Sequence, residues 1–186
     1  MNGSVYGTFC FYDREPRTEA FDEWQVTLVE LMAEWVSAQL ERQVVEETEP
    51  VDLAVVAPEA WSTVATAEGT LEASEAPSIR VDRSRLVQLL ENLFRNAVEH
   101  GGDDVSVTVG PIDDPGRAGF YVADDGPGIP EADREAVFDH GYTNRDGETG
   151  FGLSIVREIA TAHGWTVSAA SGAGGARFEF VDVRPA

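Results

Sequence analysis

Residues 91–100 read ENLFRNAVEH, with Asn92, Asn96 and His100 recurring at steps of four. That spacing stacks the three side chains on one face of a helix. Leu89, Leu90, Leu93, Phe94, Ala97 and Val98 fill the other faces and supply enough apolar area to hold the helix against a sheet. Asparagine is a mediocre helix former, so a ladder of two has a small energetic cost. A solvated face is one explanation of the ladder, and a polar ligand facing it is the other.

Outward from the ladder the elements form an ordered series. Asp82 is a good N-cap for the ladder helix, and the short runs at about 69–73 and 78–81 before it are expected strands. VDLAVVAPEAWSTV at 51–64 is an expected helix, with Asp52 near its start and Pro58 as an interruption. Beyond the ladder, DVSVTVG (104–110) and AGFYVAD (118–124) alternate as strands around the turn PIDDPGRAG, which predicts a hairpin. A loop region from Asp124 to Gly150 follows, then a helix over about 152–163, then the closing strands WTVSAA and ARFEFVDV. Strands paired by hairpins and interleaved with three helices predict an α+β fold, a two-layer sandwich with helices on one face of a mixed, mostly antiparallel sheet.

The first 47 residues read differently. VYGTFCFY (5–12) has the β-branched and aromatic content of a buried strand. From Phe21, a seam of Trp24, Leu28, Leu31, Trp35 and Ala38, broken by Arg42 and resumed at Val45, follows heptad spacing. Such a helix can pack on its own domain or join two copies in a homodimer. The charged joint EETEP at 46–50 marks the expected boundary, dividing the chain into residues 1–47 and 48–186.

Composition narrows the classes. Thirty-four acidic residues stand against 13 basic ones, all arginine, for a net charge of -21. That balance disfavours a nucleic-acid partner, because Lys and Arg drive such binding by displacing counterions. It suits high salt, where a Debye length of roughly 3 Å at 1 M screens self-repulsion. No apolar run reaches the length a membrane helix needs, and Met1 opens no secretory signal pattern, so a cytoplasmic location is expected. Cys10 is the single cysteine, which excludes intrachain disulfides and cysteine metal clusters.

Three clusters follow the ladder. Asp124-Asp125-Gly126-Pro127-Gly128-Ile129 leaves the strand FYVA, and glycines there allow close approach to a flat ligand while an aspartate accepts from an exocyclic amine. GETGFGL at 147–153 opens a helix at Gly150 and Gly152, where free N–H groups and the positive helix end attract phosphate. DHGYTNRDGE between them can close as a lid.

In this order the clusters resemble the ATP-binding domain of sensor histidine kinases, within the superfamily that also holds DNA gyrase, Hsp90 and MutL. Asn92 and Asn96 match the N box, Asp124, Gly126 and Gly128 the first glycine box, Phe138 the F box, and Gly150, Gly152 and Leu153 the second glycine box. The resemblance, over roughly residues 50–184, implies the Bergerat ATP-binding fold with ATP and Mg²⁺ as ligands. By that likeness Asp124 takes the adenine amine, Asn96 with Asn92 nearby holds Mg²⁺, and Gly150 and Gly152 cradle phosphate. Ile129, Thr149, Phe151 and Leu153 complete the nucleotide contacts, and Arg145 in the lid is the candidate catalytic cation. An amide oxygen is a suitable hard ligand for Mg²⁺.

ATP-hydrolysing relatives carry a glutamate where this chain has Asn92. An amide cannot take a proton, so the likeness implies presentation of a γ-phosphoryl to another nucleophile rather than to water. Glu99 stands where many such kinases have a basic residue, and His100 is the alternative donor. The phosphoacceptor-histidine helices expected before the ATP domain are missing, because only residues 44–49 separate Gln43 from Pro50. The stretch before them resembles the last strand and exit helix of a GAF sensor domain of the kind found in salt-loving archaea. The resulting expectation is a histidine-kinase-type domain acting on a separate acceptor, with another kinase and a response regulator as partners. A non-catalytic module that modulates intact kinases, or a serine kinase like the anti-sigma factors, is the alternative.

Overall fold

The structure is a computed structural model that describes residues 48–64, 68–73, 75–112, 114, 116–142, 152–172 and 174–186. These belong to a single compact unit running from Glu47 to Ala186. The strand, seam and cysteine expected before residue 48 lie outside the described residues.

The ladder helix, α2, spans Arg83–Gly101. Asp82 caps it through Oδ1, which accepts the amides of Ser84 (2.9 Å) and Arg85 (3.2 Å), an arrangement worth about 1 kcal/mol. At the other end Gly102 adopts φ 98° and its N–H returns to the carbonyl of Val98. Leu86, Leu89, Leu90, Leu93, Phe94 and Ala97 are all buried. Each of the large ones contributes about 1.5–3 kcal/mol on removal from water.

That apolar face lies on a five-stranded sheet ordered β2-β4-β5-β7-β6. Its strands are β2 (Thr70–Glu72), β4 (Ser106–Pro111), β5 (Gly119–Asp124), β6 (Thr166–Ser171) and β7 (Ala176–Val181). Only the β2–β4 pair is parallel, because β2 reaches β4 across α2 rather than through a hairpin. Alternation sorts the faces: Val107, Val109, Phe120, Val122, Phe178 and Phe180 are buried, while Thr108, Tyr121, Ala123, Arg177 and Glu179 are not. Phe120 and Phe180 stack at 4.6 Å in the centre of the core. The expected α+β two-layer sandwich is the observed one, with α1 (Leu53–Trp61), α2 and α3 (Gly152–Ala162) covering the buried face.

Two expectations are corrected. The helix foreseen over 51–64 is split: Glu49–Asp52 form strand β1, and the helix starts only at Leu53. Asp52 sits at φ -86°, ψ 112°, and its Oδ1 accepts the amide of Ala54, so it ends the strand and caps the helix together. Pro58 does not interrupt α1, which carries it in the interior and continues to Trp61. The second correction concerns β3 (Ser78–Val81), which leaves the main sheet and pairs antiparallel with β1 in a separate two-stranded sheet. The C-terminal residues lie along it, with Arg80 N–H on Arg184 O and Ala186 N–H on Ser78 O.

Candidate nucleotide site

The last turn of α2, the exit of β5, the β6–β7 hairpin and the start of α3 converge. Asp124 ends β5 and is half-buried. Its Oδ1 accepts two backbone N–H groups, from Gly126 at 3.0 Å and Ala176 at 3.1 Å. Its other oxygen has no partner among the described residues. Burial pushes the Asp124 carboxyl up from 3.8, and the neighbouring Asp125 adds to the rise. The Ala176 and Gly126 amides and the charge of His100 oppose it. Burial wins because two amides do not replace a full hydration shell.

Asp125 faces elsewhere. It exchanges bonds with β4, its Oδ1 taking Ser106 N–H at 2.8 Å and its own N–H reaching Ser106 O at 3.2 Å. Of the two adjacent aspartates, Asp125 is structural and Asp124 is left for a ligand.

Gly175, in the β6–β7 turn, is the residue on which this corner depends. A Cβ there would fall 2.3 Å from Asp124 O, 2.5 Å from Asp124 Oδ1 and 2.6 Å from Gly126 N. Only a glycine lets the hairpin press onto the β5 exit and bring Ala176 N–H to the carboxylate. Gly128 (φ 75°) lies against the same glycine, and Gly126 lies against Gly101 at the end of α2. Ile129 packs on the core, and its carbonyl accepts Arg134 Nε.

The second corner is made by side chains. Asn92 Nδ2 donates to Gln88 O at 2.7 Å, one turn back along α2. That bond fixes the amide so that Oδ1 is the free end, and Oδ1 lies 3.6 Å from the position a Cβ on Gly152 would take. Asn96 Oδ1 lies 3.2 Å from the same position. The first turn of α3 is therefore packed onto the asparagine ladder, and Gly152 permits it. The positive end of α3 thus stands beside two carboxamide oxygens. Leu153, next along α3, packs partly buried on the core. His100 is exposed at the end of α2, close enough to Asp124 to lower its pKa.

Phe138 is buried in a short helical turn, Ala136–Phe138, edge-on to Phe178 at 6.1 Å. The residues after it are registered on α3 by two exposed pairs, Asp139 with Arg157 and His140 with Glu158, each at 2.9 Å. Arg145, Thr149, Gly150 and Phe151 lie outside the described residues. The sequence reading missed Gly175 and Ala176. The doublet Gly174-Gly175 ahead of a strand was the available signal, since glycine at a strand end marks close backbone approach.

A separate hollow lined by Arg117, Tyr121, Arg177 and Glu179 lies on the open sheet face. Arg177 is spent there, stacked 3.6 Å over the Tyr121 ring and bonded to Glu179.

The donor set fits a magnesium nucleotide. It offers one carboxylate with a free oxygen in a glycine-lined corner, then amide oxygens beside a helix N-terminus, all oxygen donors of the type Mg²⁺ takes. Among the described residues no group of three or more His, Cys, Asp or Glu gathers into an all-protein metal site. Magnesium commonly keeps waters and phosphate oxygens beside one or two protein ligands.

Residues 81–185 match the family described as histidine kinase-, DNA gyrase B-, and HSP90-like ATPase. The sensor histidine kinase ZraS of Escherichia coli O157:H7 is 37% identical over 103 residues, 55% of this chain and 22% of that protein. The chain thus matches only about a fifth of that relative's length. The mycobacterial sensor histidine kinase MprB aligns with a TM-score of 0.62 at 27% identity, over 75% of this chain and 99% of that one. Full-length ShkA in complex with AMPPNP aligns at 0.62 and 26% identity, over 90% of this chain and 41% of that one.

Proposed function

The chain belongs to the histidine kinase-, DNA gyrase B- and HSP90-like ATPase family, and on that premise we propose that residues 48–186 bind Mg-ATP and present its γ-phosphoryl to a protein histidine in two-component signalling. The observation that carries this reading is Asp124, held by two backbone amides with one oxygen left over, on a loop that packs through Gly126 onto the end of the helix whose amide oxygens face the start of α3.

In this reading Asp124 accepts the exocyclic amine of adenine, and the amides at the start of α3 bond phosphate oxygens. Asn96, seconded by Asn92, holds the metal, which when bound neutralises phosphate charge. Arg145 and Thr149, Gly150 and Phe151 are assigned to the phosphate end, and His100 to the nucleotide beside Asp124. Asn92 offers no base, because its amide is bonded to Gln88 O and takes no proton. Attack by water therefore goes unassisted, and the phosphoryl is kept for another nucleophile.

We place the acceptor histidine outside residues 48–186. His163 has both ring nitrogens bonded and His140 pairs with Glu158. A response regulator is the onward partner, and residues 1–47 are read as the end of a GAF-like sensor whose 21–45 seam either packs on its own domain or joins two copies. Among the described residues no helix is long and apolar enough to cross a membrane, and we assign the domain to the cytoplasm. The charge of -21 on a chain without lysine is read as adaptation to high salt.

The test is equilibrium binding of a fluorescent ATP analogue with and without Mg²⁺, repeated with Asn96→Ala and Asp124→Ala. Binding that depends on the metal and weakens in both variants is expected, and unchanged affinity overturns the reading. Incubation with labelled ATP is expected to leave no acid-labile phosphate on this chain. Mass spectrometry of phosphorylated partners separates phosphohistidine from the phosphoserine of an anti-sigma-like kinase, and the absence of both from a regulatory module.

A further inference from the structure

The face-to-face contact of Gly152 with the asparagine ladder is one end of an antiparallel helix pair, and the other end is fastened by a histidine. His163 follows the last turn of α3. Its Nδ1 lies 2.8 Å from the carbonyl of Ile159, which can only accept, so Nδ1 carries the proton. Its Nε2 lies 3.2 Å from the backbone N of Asp82, which can only donate, so Nε2 is a bare lone pair. The two bonds fix one neutral tautomer. Asp82 is the N-cap of α2, so the ring ties the end of α3 to the start of the helix that carries the ladder. His163 also lies against Trp165 at 4.8 Å, and Trp165 is buried edge-on to Phe120 in the core.

The lengths agree with two-point fastening. At about 1.5 Å per residue, the 11 residues of α3 cover roughly 16 Å, and the ten steps from Asp82 to Asn92 cover roughly 15 Å. With one end held at Asp82, the first turn of α3 falls on Asn92 and Asn96.

We infer that His163 is a positioning residue for the nucleotide site: its neutral ring clamps α3 to the cap of α2 and so sets the start of α3 against the asparagine oxygens, and protonation releases the clamp. This rests on the nucleotide reading given above. A protonated ring would turn an N–H toward the Asp82 N–H, removing the bond that joins the two helices and setting two donors face to face. The charged groups on the surrounding elements are mostly engaged elsewhere. Arg83 is paired with Glu59, Arg85 bonds Gln88, Arg157 takes Asp139, Glu158 takes His140, and Asp182 receives Thr166. The Asp82 carboxylate is bonded to the Ser84 and Arg85 amides and the Ser84 hydroxyl.

The experiment measures Mg-ATP-analogue affinity between about pH 7.5 and pH 5.5, where histidine titrates, for the full chain, His163→Gln and His163→Phe. Glutamine keeps an acceptor but cannot take a proton, and phenylalanine keeps the ring without either bond. Acid is expected to weaken the wild type about fivefold more than His163→Gln, the fold-change equivalent of one net hydrogen bond. Parallel profiles for the two overturn the inference. NMR of the wild type gives a readout free of nucleotide. A His163 ring protonated at Nδ1 at neutral pH, with Asp82 amide exchange accelerating as the ring is protonated, supports the clamp. A ring protonated at Nε2, or an Asp82 amide indifferent to pH, overturns it. Failure of nucleotide to bind in any variant, with the NMR pattern as expected, leaves the helix clamp standing and overturns the nucleotide reading instead.

Discussion

The two ends of the candidate site are built on opposite plans. At Asp124 the backbone does the work: two amides grip one carboxylate oxygen, and Gly175 lets the hairpin close to a distance no side chain tolerates. At Asn92 and Asn96 the contacts are side-chain oxygens facing a helix start, with Asn96 Oδ1 set against Gly152. Backbone positions move only with the fold, whereas side-chain amides swing at the cost of a rotamer. The first plan suits a rigid, flat base, and the second suits a metal and phosphates that shift during transfer.

The sharpest way to break this contrast is Gly175→Val. The overlap with backbone atoms of Asp124 and Gly126 cannot be relieved by a rotamer, so a loss of about 3 kcal/mol or more is expected in denaturant unfolding, together with nucleotide binding. A variant of wild-type stability would show that the corner is soft.

Asp124→Asn separates recognition from folding. The amide oxygen still accepts from Gly126 and Ala176, but an NH₂ replaces the acceptor that we propose meets the adenine amine. Affinity should fall about 100-fold, or about 2.7 kcal/mol, while the melting temperature holds or rises. The sign follows from the raised pKa. The native state keeps its proton to higher pH than the unfolded chain, so this group's contribution to stability falls as pH rises from 3.8 through the native pKa. Asparagine removes that dependence. In the wild type, nucleotide affinity should fall with acidification at a higher pH than an ordinary aspartate would cause. A melting temperature that drops by several degrees in Asp124→Asn contradicts the account.

Gly152→Ala probes the softer end. The new Cβ would stand 3.2 Å from Asn96 Oδ1, so the asparagine must give by a few tenths of an ångström. Alanine gains up to about 1 kcal/mol of helix propensity, so stability should change by less than that, while Mg-nucleotide affinity drops about tenfold. A stability loss matching that of Gly175→Val would erase the distinction between the ends.

Salt sharpens the comparison because it acts on both ends alike. With a net charge of -21, raising KCl from about 0.2 M to about 2 M should lift the melting temperature by several degrees in the wild type and equally in Asp124→Asn and Gly152→Ala. A variant-dependent salt response, read by calorimetry, would mean that the site rather than the whole surface carries the effect.

The elements and their order were legible because each announces itself within a few residues: the Asp82 cap, the ladder of fours, and the alternating strands around PIDDPGRAG. The aspartate at the end of FYVA was legible for the same reason. Strand β1 was not, since Pro50 and Val51 extend only by pairing with Arg80 and Ile79, nearly thirty residues away.

By itself, the sequence determined that helices cover one face of a sheet, and it singled out Asp124, Asn92 and Asn96 as candidates. Local spacing sets which side of an element each residue occupies. Only the tertiary structure decided that Gly175 and Ala176 complete Asp124, that Asp125 belongs to β4, and that His163 fastens the ladder helix. Each of these depends on backbone groups brought together across 19 to 81 residues. No periodicity reports a contact whose partners meet only after the sheet has formed.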